Sequence, residues 1–171
     1  MIREQLSVPI RKHDILAAAQ LAAKDERVLE EVYRLLYDDD KRTSDNAAWV
    51  LTHLPPSGHQ WLADKKEPMT DEALRTPSVT KRRLIMALLE KQEFTAEEIR
   101  TDLLDFCLAR LVDPDEPYGI RALAAKLAYT QCRHFPELCG ELRQTLELVS
   151  REPLKPGLRH TVKKINKLLT Q

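Results

Sequence analysis

Three stretches of the chain read as the same helix start: Val79-Thr80-Lys81, Gly119-Ile120-Arg121 and Gly157-Leu158-Arg159. Each is followed by small or apolar residues at helical spacing, through Leu88, Ala128 and Asn166. The basic residue is third each time, and its positions, 81, 121 and 159, recur about every 40 residues. A unit of that length holds two helices, and one such unit cannot bury its apolar face alone. Stacked neighbours complete the core. The expected fold is therefore all-α, an α-solenoid of antiparallel helix hairpins forming a single domain over residues 1–171.

Composition agrees with helices. Aromatic residues are 5% of the chain, charged residues 32%, and there are only 4 glycines, which disfavours a sheet protein. The 27 basic and 27 acidic side chains cancel, so bulk charge gives no attraction to nucleic acid, although charge can still be sorted into patches. No apolar run approaches the roughly 20 residues that span a bilayer. The opening Met1-Ile2-Arg3-Glu4-Gln5 lacks the apolar core of a signal peptide, and the expected compartment is cytoplasmic. An odd number of cysteines without CxxC spacing fits reduced thiols there.

Punctuation divides the chain further. Ser7 and Pro9 are expected to open a first helix running to Ala23, and Asp25-Glu26 a second that ends at Asp38-Asp39-Asp40. A third, from about Thr43 to Leu54, stops at Pro55-Pro56. Residues 57–77 read as an irregular insertion, with Pro68 as an interruption. Thr76-Pro77 resembles a cap followed by a first-turn proline. Thr95 and Glu98 have capping-box spacing and are expected to start the next helix. Further helices are expected over 118–132, 136–150 and 156–169. Leu104, Leu108, Leu111, Leu123, Leu127, Leu142, Leu146, Val162 and Ile165 should share one core.

The stretch from Leu103 to Leu127 resembles a HEAT repeat: an apolar helix, the acidic turn Val112-Asp113-Pro114-Asp115-Glu116, then Gly119-Ile120-Arg121 followed by alanines. Leu29 to Leu54 resembles it more loosely, because the arginine is missing from its place. That resemblance implies a stacked helical fold and is nearly silent on activity. The phrases Thr43-Ser44-Asp45-Asn46-Ala47-Ala48-Trp49 and Glu116-Pro117-Tyr118-Gly119-Ile120-Arg121 are similar to short bacterial HEAT-like proteins sometimes labelled adenylosuccinate lyase. Fumarase-type lyases resemble one another through a Met-Pro-x-Lys-x-Asn loop, which this sequence does not contain.

Catalytic constellations are sparse. Alkylation-repair DNA glycosylases built of helical repeats resemble one another in an aspartate close to a Trp-Trp pair. Here Trp49 and Trp61 stand apart, and Asp45, one helical turn before Trp49, reads as an exposed residue near a helix start. Cys132, His134 and Cys139 are chemically competent for zinc but match no structural zinc spacing, and His53 and His59 flank a Pro-Pro turn. No phosphate-cradling glycine loop, HExxH or GxSxG occurs. We assign no catalytic, cofactor-binding or metal residues and expect no cofactor.

The recurrent Lys81, Arg121 and Arg159 are read as structural, with Arg121 reaching back to Asp113 or Asp115. Charge sorting is more informative. Residues 25–40 hold seven acidic side chains against Arg27 and Arg34, whereas residues 151–171 hold six basic ones against Glu152. The expected function is a non-catalytic protein-binding or scaffold module. Its candidate contact residues are Arg159, Lys163, Lys164, Lys167, Trp49 and Trp61. The alternatives are a nucleic-acid-binding helical repeat and a small enzyme without a recognisable motif. A protein partner is expected first, then self-association through oppositely charged ends, with nucleic acid below both and no membrane.

Overall fold

A computed structural model describes residues 2–171, and every regular element among them is helical. The helices are α1 (Ile2–Leu6), α2 (Lys12–Lys24), α3 (Glu26–Leu35), α4 (Lys41–Thr52), α5 (Pro56–Trp61), α6 (Lys66–Arg75), α7 (Val79–Glu90), α8 (Thr101–Val112), α9 (Tyr118–Cys132), α10 (Pro136–Ser150) and α11 (Pro156–Leu169). A 3-10 turn, Leu62–Lys65, joins α5 to α6. The chain packs as two compact units, Met1–Gln92 and Glu93–Gln171.

In the first unit the acidic residues serve as helix punctuation. Asp25 ends α2 and caps α3 by accepting the Arg27 amide at 2.9 Å. Asp40 caps α4 through the Thr43 amide and hydroxyl, and Asp38 accepts the Asp40 amide at 2.8 Å. Each bond satisfies a backbone donor that a helix start leaves orphaned. α4 packs against α2, α3 and α7, so its buried side chains are small where neighbours come close: Thr43, Ser44, Ala47 and Ala48, followed by Val50 and Leu51. After Pro55 the chain turns back so tightly that a Cβ on Gly58 would lie 2.6 Å from the Leu54 Cβ. Only glycine fits there.

Four local expectations are corrected. The first helix does not open at Ser7 or Pro9; Ile2–Leu6 forms its own short helix, and α2 begins at Lys12. Ser78, not Thr76, caps α7: its Oγ accepts the Lys81 amide at 3.1 Å, while Thr76 Oγ1 accepts the Ser78 amide. Pro77 therefore stands before the cap rather than in the first turn. Glu98 does accept the Thr95 amide at 3.0 Å, but the bond closes an isolated turn. α8 starts only after Arg100, whose amide is held by Gln131. Residues 57–77 are largely helical, with Pro68 in the first turn of α6, where its missing N–H has no helical partner to lose.

The second unit is organised around α9, which packs on α8, α10 and α11. A helix enclosed by three neighbours needs small side chains where they approach, and Ala124, Ala125 and Ala128 are fully buried. Leu104, Leu108, Leu111, Leu127, Leu142, Leu146, Val162 and Ile165 form the core, as the spacing predicts. Leu123 is only half-buried. Helices α9, α10 and α11 keep the boundaries read from the sequence, because Pro117, Pro136 and Pro156 mark each start.

Candidate interaction surface

Neither α9 nor α11 contains an aspartate or glutamate. The carboxylates of the helices around them lie on α8, as Asp102 and Asp105, and on α10, as Glu137, Glu141 and Glu147. Because α9 and α11 pack directly on one another, two adjoining helices carry only neutral and basic side chains. Lys126 and Arg133 are exposed at α9 and its C-cap, and Arg159, Lys163, Lys164 and Lys167 on α11. The apolar stripe of α11, Leu158, Val162, Ile165 and Leu169, is buried and fixes which side its lysines present.

The starts of the two helices are tied together. Lys155 Nζ lies 5.0 Å from the centre of the Tyr118 ring, a cation–π contact between the residues that introduce α11 and open α9. Arg121 is 1% exposed; its Nε donates to the Leu111 carbonyl at 2.9 Å and its Nη1 to Glu152 Oε1 at 2.6 Å. The expected acceptors, Asp113 and Asp115, are not used. Asp113 instead accepts the Asp115 amide, and the guanidinium reaches the end of α8 and the turn before α11. Glu152 is thereby withdrawn as a free negative charge beside the basic helices. Glu116 likewise pairs with Arg110 at 3.0 Å.

Of the residues singled out in the sequence, Arg159, Lys163, Lys164 and Lys167 come together on α11. Arg159 donates to the Leu154 carbonyl at 2.7 Å, while the three lysines make no ion pair among the described residues. Trp49 and Trp61 belong to the first unit, both half-buried, on α4 and at the end of α5. Trp61 packs edge-on to Tyr33, donates from Nε1 to Glu26 at 3.2 Å, and carries Lys65 Nζ 3.7 Å from its ring centre. Tyr33 and Tyr37, one helical turn apart, share a 2.7 Å hydroxyl contact. Sequence reasoning passed over both, although their i, i+4 spacing was visible.

The chemically suggestive residues have structural employment. Asp45 accepts Ser78 Oγ and Lys41 Nζ, each at 2.7 Å, so it joins α4 to α7. Burial pushes the thiols of Cys107 and Cys132 up to about 12, away from reactive thiolates. His134 contacts the Phe94 carbonyl, and among the described residues no three His, Cys, Asp or Glu side chains are placed to hold a metal ion. No helix among those residues is long and apolar enough to cross a membrane.

Helix pairs recurring about every 40 residues and packed on their neighbours are the architecture of an α-helical repeat protein. Residues 2–169 match the family described as HEAT repeat domain. The chain belongs to that HEAT repeat family, whose members often act as scaffolds for protein interaction. No curated protein and no solved structure matches the chain.

Proposed function

We propose that this HEAT repeat chain is a non-catalytic protein-binding module, and that the adjoining helices α9 and α11 take an acidic segment of a partner protein. The observation that carries the reading is the absence of any carboxylate from both helices, combined with exposed Lys126, Lys163, Lys164 and Lys167. A surface with no internal counter-ions keeps its potential for a partner. Lysines held by packed helices also lose less backbone freedom on binding than lysines on a mobile loop.

A protein segment is favoured over nucleic acid by the rest of the charge. The chain is neutral overall, and α8 and α10 place acidic side chains in the same unit. A long polyanion meets that opposing field, whereas a short acidic peptide needs only a few cations.

Fluorescence anisotropy with a labelled glutamate-rich peptide and, separately, a labelled DNA duplex distinguishes the two. We expect saturable peptide binding that the K163E/K164E/K167E variant loses, with unchanged far-ultraviolet circular dichroism. Tighter binding of the duplex than of the peptide, or peptide binding indifferent to the triple substitution, overturns the proposal.

A further inference from the structure

A cavity of about 280 Å³ lies within the first unit, between the turn that enters α4 and the turn that enters α7. That is close to the roughly 300 Å³ at the lower end of small-molecule pockets, too small for a folded partner. Its lining includes Tyr37, Asp39, Ser44, Glu72, Arg75 and Lys81.

Two of these groups hold unused bonding capacity of opposite sign. Lys81 occupies the repeat position that Arg121 fills in the second unit. The Arg121 fork spans a carbonyl and a carboxylate, whereas the Lys81 ammonium is a compact charge that leaves space in front of it. Its side chain is 6% exposed, and its Nζ stands 3.4 Å from Glu72 Oε1, too long for a strong hydrogen bond. Glu72 is already taken by Arg75, whose Nη2 donates to Oε1 at 2.7 Å. A nearly buried ammonium with three donors thus lines a cavity without a close acceptor. Asp39, on the same cavity, is exposed and accepts no hydrogen bond from the described residues. Its neighbour Asp38 is committed to Arg3 and to the Asp40 amide.

We propose that this cavity binds a small zwitterion of the amino-acid class, its carboxylate on Lys81 and its ammonium on Asp39. The lining is balanced, Asp38, Asp39 and Glu72 against Lys41, Arg75 and Lys81, so it favours neither a multiply charged anion nor a multiply charged cation. A simple cation answers Asp39 but gives Lys81 no acceptor closer than the Glu72 carboxylate at 3.4 Å, which Arg75 already shares. Only a ligand carrying both charges answers both groups.

Isothermal titration of the full chain with glycine, γ-aminobutyrate and ε-aminocaproate, against butyrate and butylamine, tests the assignment. The expected result is at least one ω-amino or α-amino acid bound about tenfold or more tightly than either singly charged analogue. Lys81→Met should abolish that binding. Lys81→Arg should also abolish it, by filling the cavity as Arg121 fills its own site. Asp39→Asn, an exposed substitution that leaves the fold alone, should bring the zwitterion down to the affinity of butyrate. The assignment is overturned if no amino acid in the series gives heat, if butyrate binds as well as the amino acids to the unsubstituted chain, or if Asp39→Asn keeps the preference. Should Lys81→Met fail to fold by circular dichroism, Asp39→Asn alone decides between these outcomes.

Discussion

Arg121 shows what one buried cation does in this chain. Its guanidinium supplies donors to the Leu111 carbonyl, in the last turn of α8, and to Glu152, in the turn before α11. Arg121→Met removes both bonds and leaves the carbonyl without its donor, which should cost roughly 1–3 kcal/mol. The urea midpoint measures it, and a midpoint equal to that of the unsubstituted chain would show that the pair contributes nothing net. Histidines set a second residue-scale behaviour. Burial holds His59 below its ordinary 6.5, with repulsion from Lys91 adding to it, and burial with repulsion from Lys12 does the same to His53. Both groups resist protonation when folded, so the unfolded chain binds protons first as pH falls. Stability should be full above about pH 6.5 and decline as the pH drops below it, through the folded-state values. Thermal unfolding across that range, with and without His59→Gln, checks this. A midpoint that rises on mild acidification would contradict it.

At the scale of the element, the alanines of α9 explain how three helices reach one axis. Ala124 and Ala128 are one turn apart and fully buried. Ala124→Leu adds a branched side chain where no space is left and should destabilise by about 1–3 kcal/mol. Chemical denaturation with an unshifted midpoint would place that position outside the seam. The same helix shows which elements could be read in advance. The boundaries of α9, α10 and α11 were legible because a proline stands just before or at each first residue and the apolar spacing continues without interruption. The start of α8 was not legible. Thr95 and Glu98 make the local bond their spacing promises, but the helix waits for Arg100, whose amide is satisfied by Gln131, 31 residues away. A capping bond is a short-range event, and whether a helix follows it depends on what the next turn packs against.

For the molecule as a whole, neutrality conceals sorted charge. Read along the chain, the acidic residues 25–40 and the basic residues 151–171 look like two opposed free patches. In the structure, Asp25, Asp38 and Asp40 are caps and turn acceptors, and Glu26 bonds Trp61. Lys163, Lys164 and Lys167 are committed to nothing among the described residues. Binding of an acidic peptide should therefore weaken as salt rises, since exposed charges are screened over about 10 Å at 0.1 M. The K163E/K164E/K167E variant should show a flatter dependence on ionic strength in whatever binding remains. A salt dependence as steep as that of the unsubstituted chain would move the contact off α11.

The sequence alone determined that the chain is helical, that its units recur about every 40 residues, and that a cation stands early in the second helix of a unit. These are consequences of side-chain spacing within single helices, which depends only on near neighbours. The tertiary structure decided the rest. It made α9 and α11 adjoin, so that two carboxylate-free segments far apart in sequence became neighbours. It also gave Lys81 and Arg121, alike in repeat position, different surroundings: a cavity and a carboxylate at 3.4 Å for one, two hydrogen-bonded acceptors for the other. The physical reason is that the environment of a side chain is set by segments distant in sequence, whose approach is governed by close packing rather than by any local pattern.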